Sequence, residues 1–343
     1  MGTYALGLFT NMYPRFEGDY RGIFIQRMVK DLESQGILVK KAVKTSASVT
    51  GYIPFYCKSV LLAKDPHLDI MQAEYIPHSC IVPTLLRRKT CPLVLKFHGD
   101  DARIFPFKNS FFMSLTQAMI KRADYVLTSS EEIRSTLISI GAHPENISAV
   151  HTGVDTNFFR PAPKAPLRKD TGLPPDVTIF LFIGRLHPWK GINELISVAD
   201  RCREFRFVFI GPGTIPPHPE NCMFLGSKSP EDVRMWYNIS DCLVLPSYTE
   251  GFPTVIMEAF ASGIPAITTN VGGCLELVEP EKTGLLVPAR DVQALHTAVQ
   301  WMGTHVEERT RMGIAARTMA EERFNHIRMI QRLIGIHESL IQK

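Results

Sequence analysis

An α/β chain folded as two doubly wound, Rossmann-like domains facing a central cleft is the architecture this sequence predicts, and three observations predict it. Short apolar runs rich in Val, Ile and Phe alternate with helical patterns along the whole chain, which is the pattern of parallel sheets covered by helices. The length, 343 residues, exceeds what one ordinary core fills. Three prolines fall within residues 161–166, PAPKAP, where neither strand nor helix is expected to continue. This break is read as a linker. It separates a first domain, 1–160, from a second, 161–322, and leaves 323–343 as a terminal helix.

In the first half, strands are expected at 4–9, 68–72, 93–97, 125–128 and 147–151. In the second they are expected at 177–183, 206–210, 242–245 and 265–269. The last helix, about 323–342, is apolar at 327, 330, 333, 334 and 340, a spacing that implies one buried face. Ligands of such sheets bind beyond the carboxyl ends of the strands, so the loops after the strands hold the candidate residues.

Composition narrows the class. Apolar residues at 45% and charged residues at 21% describe a soluble globular enzyme. No run approaches the ~18 apolar residues of a membrane span. The amino-terminal MGTYALGLFTNMYP has no basic region ahead of its apolar stretch, and Leu6 stands where a myristoylation motif needs Ser or Thr. The seven cysteines are scattered and never form a CxxC pair, so they read as reduced, buried thiols of a cytoplasmic protein. Residues 1–160 carry 19 Lys and Arg against 14 Asp and Glu, while 161–343 carry 19 against 20. The basic half suits an anionic acceptor, or peripheral contact with the inner face of an anionic membrane. Nucleic acid is not an expected partner.

Residues 250–267, EGFPTVIMEAFASGIPAI, are the most informative stretch. Pro253 suits the first position of a helix, and Gly263 with Pro265 stops that helix about three turns later. The free N–H groups of Thr254, Val255 and Ile256 would bind an anion, phosphate above all. Glu250 precedes the helix. Glu258 lies roughly 7 Å along its axis, at ~1.5 Å per residue. One carboxylate would then bond a sugar hydroxyl on one side of a phosphate and the other a ribose. A nucleotide sugar has that layout. The rival reading makes Glu250 a loop residue favoured by the helix dipole and Glu258 a solvated position. Against it, Glu258 stands among Val255, Ile256, Met257, Ala259 and Phe260, unusual company for a solvated charge.

With its two glutamates separated by seven residues, this stretch resembles the signature of the retaining GT-B glycosyltransferases of family four, the glycosyl transferases group 1. Further resemblances follow the family's order: FHGDD at 97–101, HTGVDTNFFRP at 151–161, FIGRLHPWKG at 182–191 and NVGGCLELV at 270–278. The resemblance implies a sugar transfer from a UDP-, GDP- or other NDP-sugar to an acceptor hydroxyl. The acceptor would be a saccharide, a lipid-linked molecule or a small molecule. It also implies that Gly251 and Phe252 join Pro253, Thr254 and Val255 against the donor, and that the final helix packs back on the first domain.

Gly184 and Arg185 follow an expected strand, and Lys190 opens the next helix. Two cations on one strand-to-helix loop grip a diphosphate, Arg as a planar fork and Lys as a point charge, and match the family's phosphate pair. No D-x-D sequence occurs. Many metal-dependent transferases use one, so Arg185 and Lys190 are expected to replace a metal's charge, with no metal and no cofactor. His98 lies just past a strand, where the family has a His that touches the donor sugar, with Asp100 or Asp101 a weaker candidate. Gly18, Arg21 and Gly22 lie in the loop after the first strand, where a bare backbone approaches a ligand closely. The family usually has an adjacent glycine pair there, whereas Gly18 and Gly22 are apart. Gly272 and Gly273 with Glu276 make another loop-to-helix turn. Gly211 and Leu225 fit the rim where the family holds the nucleobase. Retention suggests a carboxylate nucleophile. No convincing candidate is found, so departure and attack on one face is the expected route.

Rival functions are weighed on the same residues. A nucleotide-sugar 2-epimerase on this architecture needs acid and base groups rather than an acceptor pocket, and the spacing of Glu250 and Glu258 speaks against it. A catalytically silent sugar-binding scaffold would have no need of Arg185, Lys190, Glu250 and Glu258 together. A dinucleotide oxidoreductase lacks its G-x-G-x-x-G after any expected strand.

Overall fold

The structure, a computed structural model, describes residues 3–16 and 21–343. It divides into two compact units: Met1–Thr152 with Ile327–Lys343, and Gly153–His326.

Six strands build the sheet of the first unit: β1 (Ala5–Thr10), β2 (Leu38–Val43), β3 (Ile70–Glu74), β4 (Leu93–Phe97), β5 (Tyr125–Thr128) and β6 (Ile147–Ala149). They lie in the order β2-β1-β3-β4-β5-β6, every pair parallel. All residues of β1, β3 and β4 are buried, because helices cover both faces of a parallel sheet. Alternate residues feed separate cores: Phe9, Met71 and Leu95 pack on one face, and Leu6, Leu8, Ile70 and Val94 on the other. The second face also receives Ile25, Met28, Val29 and Leu32 of the helix Ile23–Ser34. Ile330, Leu333, Ile334 and Leu340 of the final helix, His326–Ile341, complete it. Ile327, expected on that helix's buried face, is 42% exposed.

The second unit repeats the plan with β7 (Ile179–Ile183), β8 (Arg206–Ile210), β9 (Cys222–Phe224), β10 (Cys242–Leu245), β11 (Ala266–Thr269) and β12 (Gly284–Val287). The order is β12-β11-β10-β7-β8-β9, again parallel throughout. One apolar core, from Phe180 and Phe207 to Phe260 and Leu295, fills both sides.

Three expectations need correction. The strands β2, β9 and β12 were not foreseen, and each lies at a sheet edge; the other nine lie within two residues of their expected bounds. The proline-rich segment is not a free linker. Lys164–Asp170 is a helix with Pro166 in its first turn, where a missing N–H costs nothing. It is pinned to the second unit: Lys164 Nζ and Arg168 Nη2 each lie 2.6 Å from an oxygen of Asp241, and the Ala162 N–H donates to Asn238 at 2.6 Å. The chain has by then already crossed, between Thr152 and Gly153. Finally, all seven cysteines are free, but Cys57 is exposed.

Candidate active site

In the second unit the strand order reverses between the neighbours β7 and β10. Loops leaving such a pair diverge, and the crevice between them is where doubly wound sheets take ligands. The loop after β7 carries Gly184, Arg185 and Lys190; the loop after β10 carries Ser247 and Glu250. They are tied by the Tyr248 N–H, which donates to the Trp189 carbonyl at 2.8 Å. Their side chains meet as well. Lys190 Nζ and Ser247 Oγ both donate to Glu250 Oε1, each at 2.6 Å. Glu250 is 9% exposed, while the Lys190 side chain keeps 31%. An ammonium has three protons, so this pair leaves donors for an anion. Arg185 is exposed, and its guanidinium makes no hydrogen bond among the described residues.

The helix Thr254–Ala261 starts one residue later than expected, with Pro253 as its cap. The Ile256 N–H is also not free, since it donates to the Pro253 carbonyl at 3.2 Å. The Thr254 and Val255 N–H groups remain, without a hydrogen bond among the described residues. Glu258 is half-buried. Tyr237, wholly buried, donates its hydroxyl to Glu258 Oε2 at 3.1 Å. Burial and the Glu258 charge push that phenol well above its ordinary pKa, so it acts as a donor. The Gly251 carbonyl accepts from the Gly273 N–H at 3.0 Å, and the Phe252 ring lies 6.0 Å from that of Phe324. Gly211 passes so close that a Cβ there would lie 1.9 Å from the Gly184 carbonyl oxygen. The loops after β7 and β8 thus touch through backbone. The Leu225 N–H donates to the Phe209 carbonyl at 2.9 Å, extending the rim beyond β9.

In the first unit the order reverses between β1 and β3. Gly18 lies outside the described residues. Gly22 adopts a left-handed φ of 63°, and a Cβ on it would lie 2.2 Å from the Met12 carbonyl oxygen. Its bare backbone therefore accommodates the close pass of its own loop. His98 follows β4 and is buried. Its Nε2 pairs with the Glu74 carboxylate, and its ring stacks on Tyr75 at 4.5 Å. Asp101 accepts from the backbone N–H groups of His98 (2.9 Å), Gly99 (2.8 Å) and Ile76 (3.2 Å), so it holds the loop. Burial raises its carboxyl pKa against the pull of His98 and these bonds.

Sequence reading missed Ser247, Tyr237 and Glu74. For Glu74 a signal existed, since Gln72 and Glu74 are alternate polar residues in the run IMQAE. Among the described residues no three His, Cys, Asp or Glu side chains are grouped to hold a metal ion. None of their helices is long and apolar enough to cross a membrane.

Fold and loops together define a two-unit, doubly wound α/β protein of the class that takes ligands at strand switch points. The chain belongs to the glycosyl transferases group 1: that family's model matches residues 163–319, and the Glycosyltransferase Family 4 model matches 22–158. D-inositol 3-phosphate glycosyltransferase of Mycobacteroides abscessus is 32% identical over 188 residues, 50% of this chain and 42% of that protein. The Bacillus subtilis putative teichuronic acid biosynthesis glycosyltransferase TuaC is 27% identical over 242 residues, 69% of this chain and 61% of its own. The chain spans about half the length of the curated relatives it matches. Among solved structures, sucrose-phosphate synthase from Thermosynechococcus elongatus superposes with a TM-score of 0.84 at 20% identity, over 99% of both chains. Anabaena HepE, in complex with UDP and glucose, gives 0.79 at 19%, over 98% of this chain and 100% of its own. At these identities the likeness is one of fold, the GT-B arrangement of two parallel six-stranded sheets.

Proposed function

We propose that this protein is a retaining, metal-independent glycosyltransferase, located in the cytoplasm, that moves a sugar from a nucleoside-diphosphate sugar to an acceptor hydroxyl. The observation that carries this reading is the Lys190–Glu250–Ser247 cluster at the switch point of the second sheet, beside the start of the helix Thr254–Ala261. In this reading Lys190 turns its remaining donors, and Arg185 its whole guanidinium, to the diphosphate. The N–H groups of Thr254 and Val255 add two neutral donors at the positive end of a helix. All four would stabilise the charge that grows on the leaving diphosphate.

Glu250 Oε2, unengaged among the described residues, would accept from a donor-sugar hydroxyl. Tyr237 orients Glu258 for the ribose, and His98 contacts the sugar. With the phosphate's charge met by fixed cations and N–H groups, no metal is required. The proposal keeps departure and attack on one face of the sugar. The relatives carry the names of transferases, which does not favour a 2-epimerase.

A lipid-linked acceptor is supported by the surface around Lys108. Ile104, Phe107 and Phe111 are 46%, 53% and 67% exposed, which suits peripheral contact with an anionic membrane.

The test is a screen of UDP-, GDP-, ADP- and TDP-sugars by thermal shift and slow donor hydrolysis, with and without EDTA. The true donor raises the melting temperature by mass action and is hydrolysed in EDTA. The reading fails if no nucleotide sugar shifts the melting temperature. Hydrolysis that needs Mn²⁺ or Mg²⁺ removes metal independence alone.

A further inference from the structure

Behind His98 a file of buried polar groups crosses the first unit to its final helix. His98 Nε2 bonds one Glu74 oxygen, and Gln72 Nε2 bonds the other. Gln72 Oε1 lies 2.7 Å from His337 Nε2, and His337 Nδ1 lies 2.7 Å from the Tyr4 hydroxyl. Gln72, Glu74 and His337 have no exposed surface, and Tyr4 is 7% exposed. Such groups are held only when each finds its partner.

The direction of every bond follows from one charge. Burial pushes the Glu74 carboxyl up, but the Lys96 and His98 charges and the bonds from His98 and Gln72 outweigh it, so it lies below the ordinary value. An ionised carboxylate only accepts. Gln72 must therefore turn its amide NH₂ to Glu74 and its carbonyl to His337. His337 must then carry its proton on Nε2 and offer a bare Nδ1 to the Tyr4 O–H. Burial drives its pKa down to about 3, in agreement with a neutral ring. The other Glu74 oxygen imposes the same rule on His98, whose Nε2 must carry a proton.

We propose that this file is a positioning device: Glu74, locked by Gln72, His337 and Tyr4, holds the His98 ring in one orientation with Nε2–H directed inward and Nδ1 left as the working atom. The proposal rests on the reading that His98 contacts the donor sugar. At Nδ1 a neutral His98 would accept from a sugar hydroxyl, and His337, although it touches no substrate, would act through the ring.

Long-range ¹H–¹⁵N spectra of the imidazoles, read at the alkaline end of a pH series where the rings are neutral, test it, with His98 assigned by its loss in His98→Gln. Wild type should show His98 only as the Nε2–H form. Glu74→Gln, whose amide can donate or accept, should add the Nδ1–H form. His337→Phe, which leaves the Gln72 carbonyl without a donor, should do so too. His337→Gln, which can still donate, should restore the single form. In slow donor hydrolysis, His337→Phe should lower turnover at least fivefold, and His337→Gln should recover most of that loss. If Glu74→Gln does not fold, the two His337 variants carry the test. An Nδ1–H ring in wild type, or a His337→Phe spectrum identical to wild type, overturns the proposal. Unchanged donor KM and turnover in His98→Ala would instead remove the sugar contact and leave the tautomer result standing.

Discussion

Replacing Lys190 by Met should destabilise the protein and slow it, and a second substitution should separate the two effects. Removing one partner of a fully buried ion pair costs about 3–5 kcal/mol, because the other charge is stranded. The Lys190 side chain is 31% exposed and Glu250 only 9%, so water screens the pair from one side. We discount the cost to about 1–2 kcal/mol for Lys190→Met. Glu250→Gln should cost about 1 kcal/mol or less, since the freed ammonium can reach water and the amide still accepts from Ser247. With both replaced, neither charge is stranded. Stability should return by about 1 kcal/mol relative to the sum of the single variants. Activity should not return, because Lys190 is also assigned to the leaving diphosphate, a contact worth roughly 2–4 kcal/mol in the transition state. Urea unfolding at pH 7 gives the first quantity, and initial rates with the donor found by thermal shift give the second. Strictly additive stabilities would refute the pairing, and near-normal turnover in Lys190→Met would refute its role in phosphate departure.

Arg185→Ala should lower turnover more than tenfold with an unchanged urea midpoint, since an exposed guanidinium without a hydrogen-bond partner among the described residues has little to lose on removal. His337 gives a pH signature: its pKa falls from 6.5 in the unfolded chain to about 3 when buried, so its contribution to stability is complete above pH 6.5 and is lost as pH falls toward 3. The wild-type melting temperature should therefore drop more steeply between pH 6.5 and 5 than that of His337→Phe; parallel curves would contradict a buried neutral ring. In liposome flotation, the wild type should rise with anionic vesicles at low salt, and Phe107→Ser/Phe111→Ser should not. A wild type that stays at the bottom of the gradient would favour a water-soluble acceptor.

The sequence made the central strands easy to read and the edges hard. In β4, LVLKF, and β7, IFLFI, every residue or nearly every residue is buried, so the run is continuous. In β2 only Val39 and Ala42 are buried and two lysines interrupt the run, and β9 is only three residues long. Within the site, Glu250 and Glu258 are near neighbours in sequence, and their spacing around one helix start could be read directly. The partnership of Glu250 with Lys190, 60 positions apart, depends on β10 lying beside β7. That of His98 with Glu74 depends on the register that sets Glu74 opposite Lys96. Such pairings arise from strand order, which local pattern does not encode.

The two crossings of the chain bear on how the protein is made. The second unit is a continuous insertion, and its two ends are fastened side by side: the Val154 N–H donates to the Phe324 carbonyl at 2.8 Å, and the His326 N–H to the Val154 carbonyl at 3.0 Å. During translation residues 153–326 can therefore close their own core as soon as they leave the ribosome. The first unit is synthesised earlier yet finishes later. Part of one face of its sheet, beside the helix Ile23–Ser34, stays open until Ile330, Leu333, Ile334 and Leu340 emerge, some 180 to 190 residues after the last strand of that sheet. For that interval an apolar surface waits for its cover, and at ~5–20 residues per second the wait lasts roughly ten to thirty seconds. The nascent first unit is thus the natural client for a chaperone, and a stop codon that removed the final helix would leave it a permanent one.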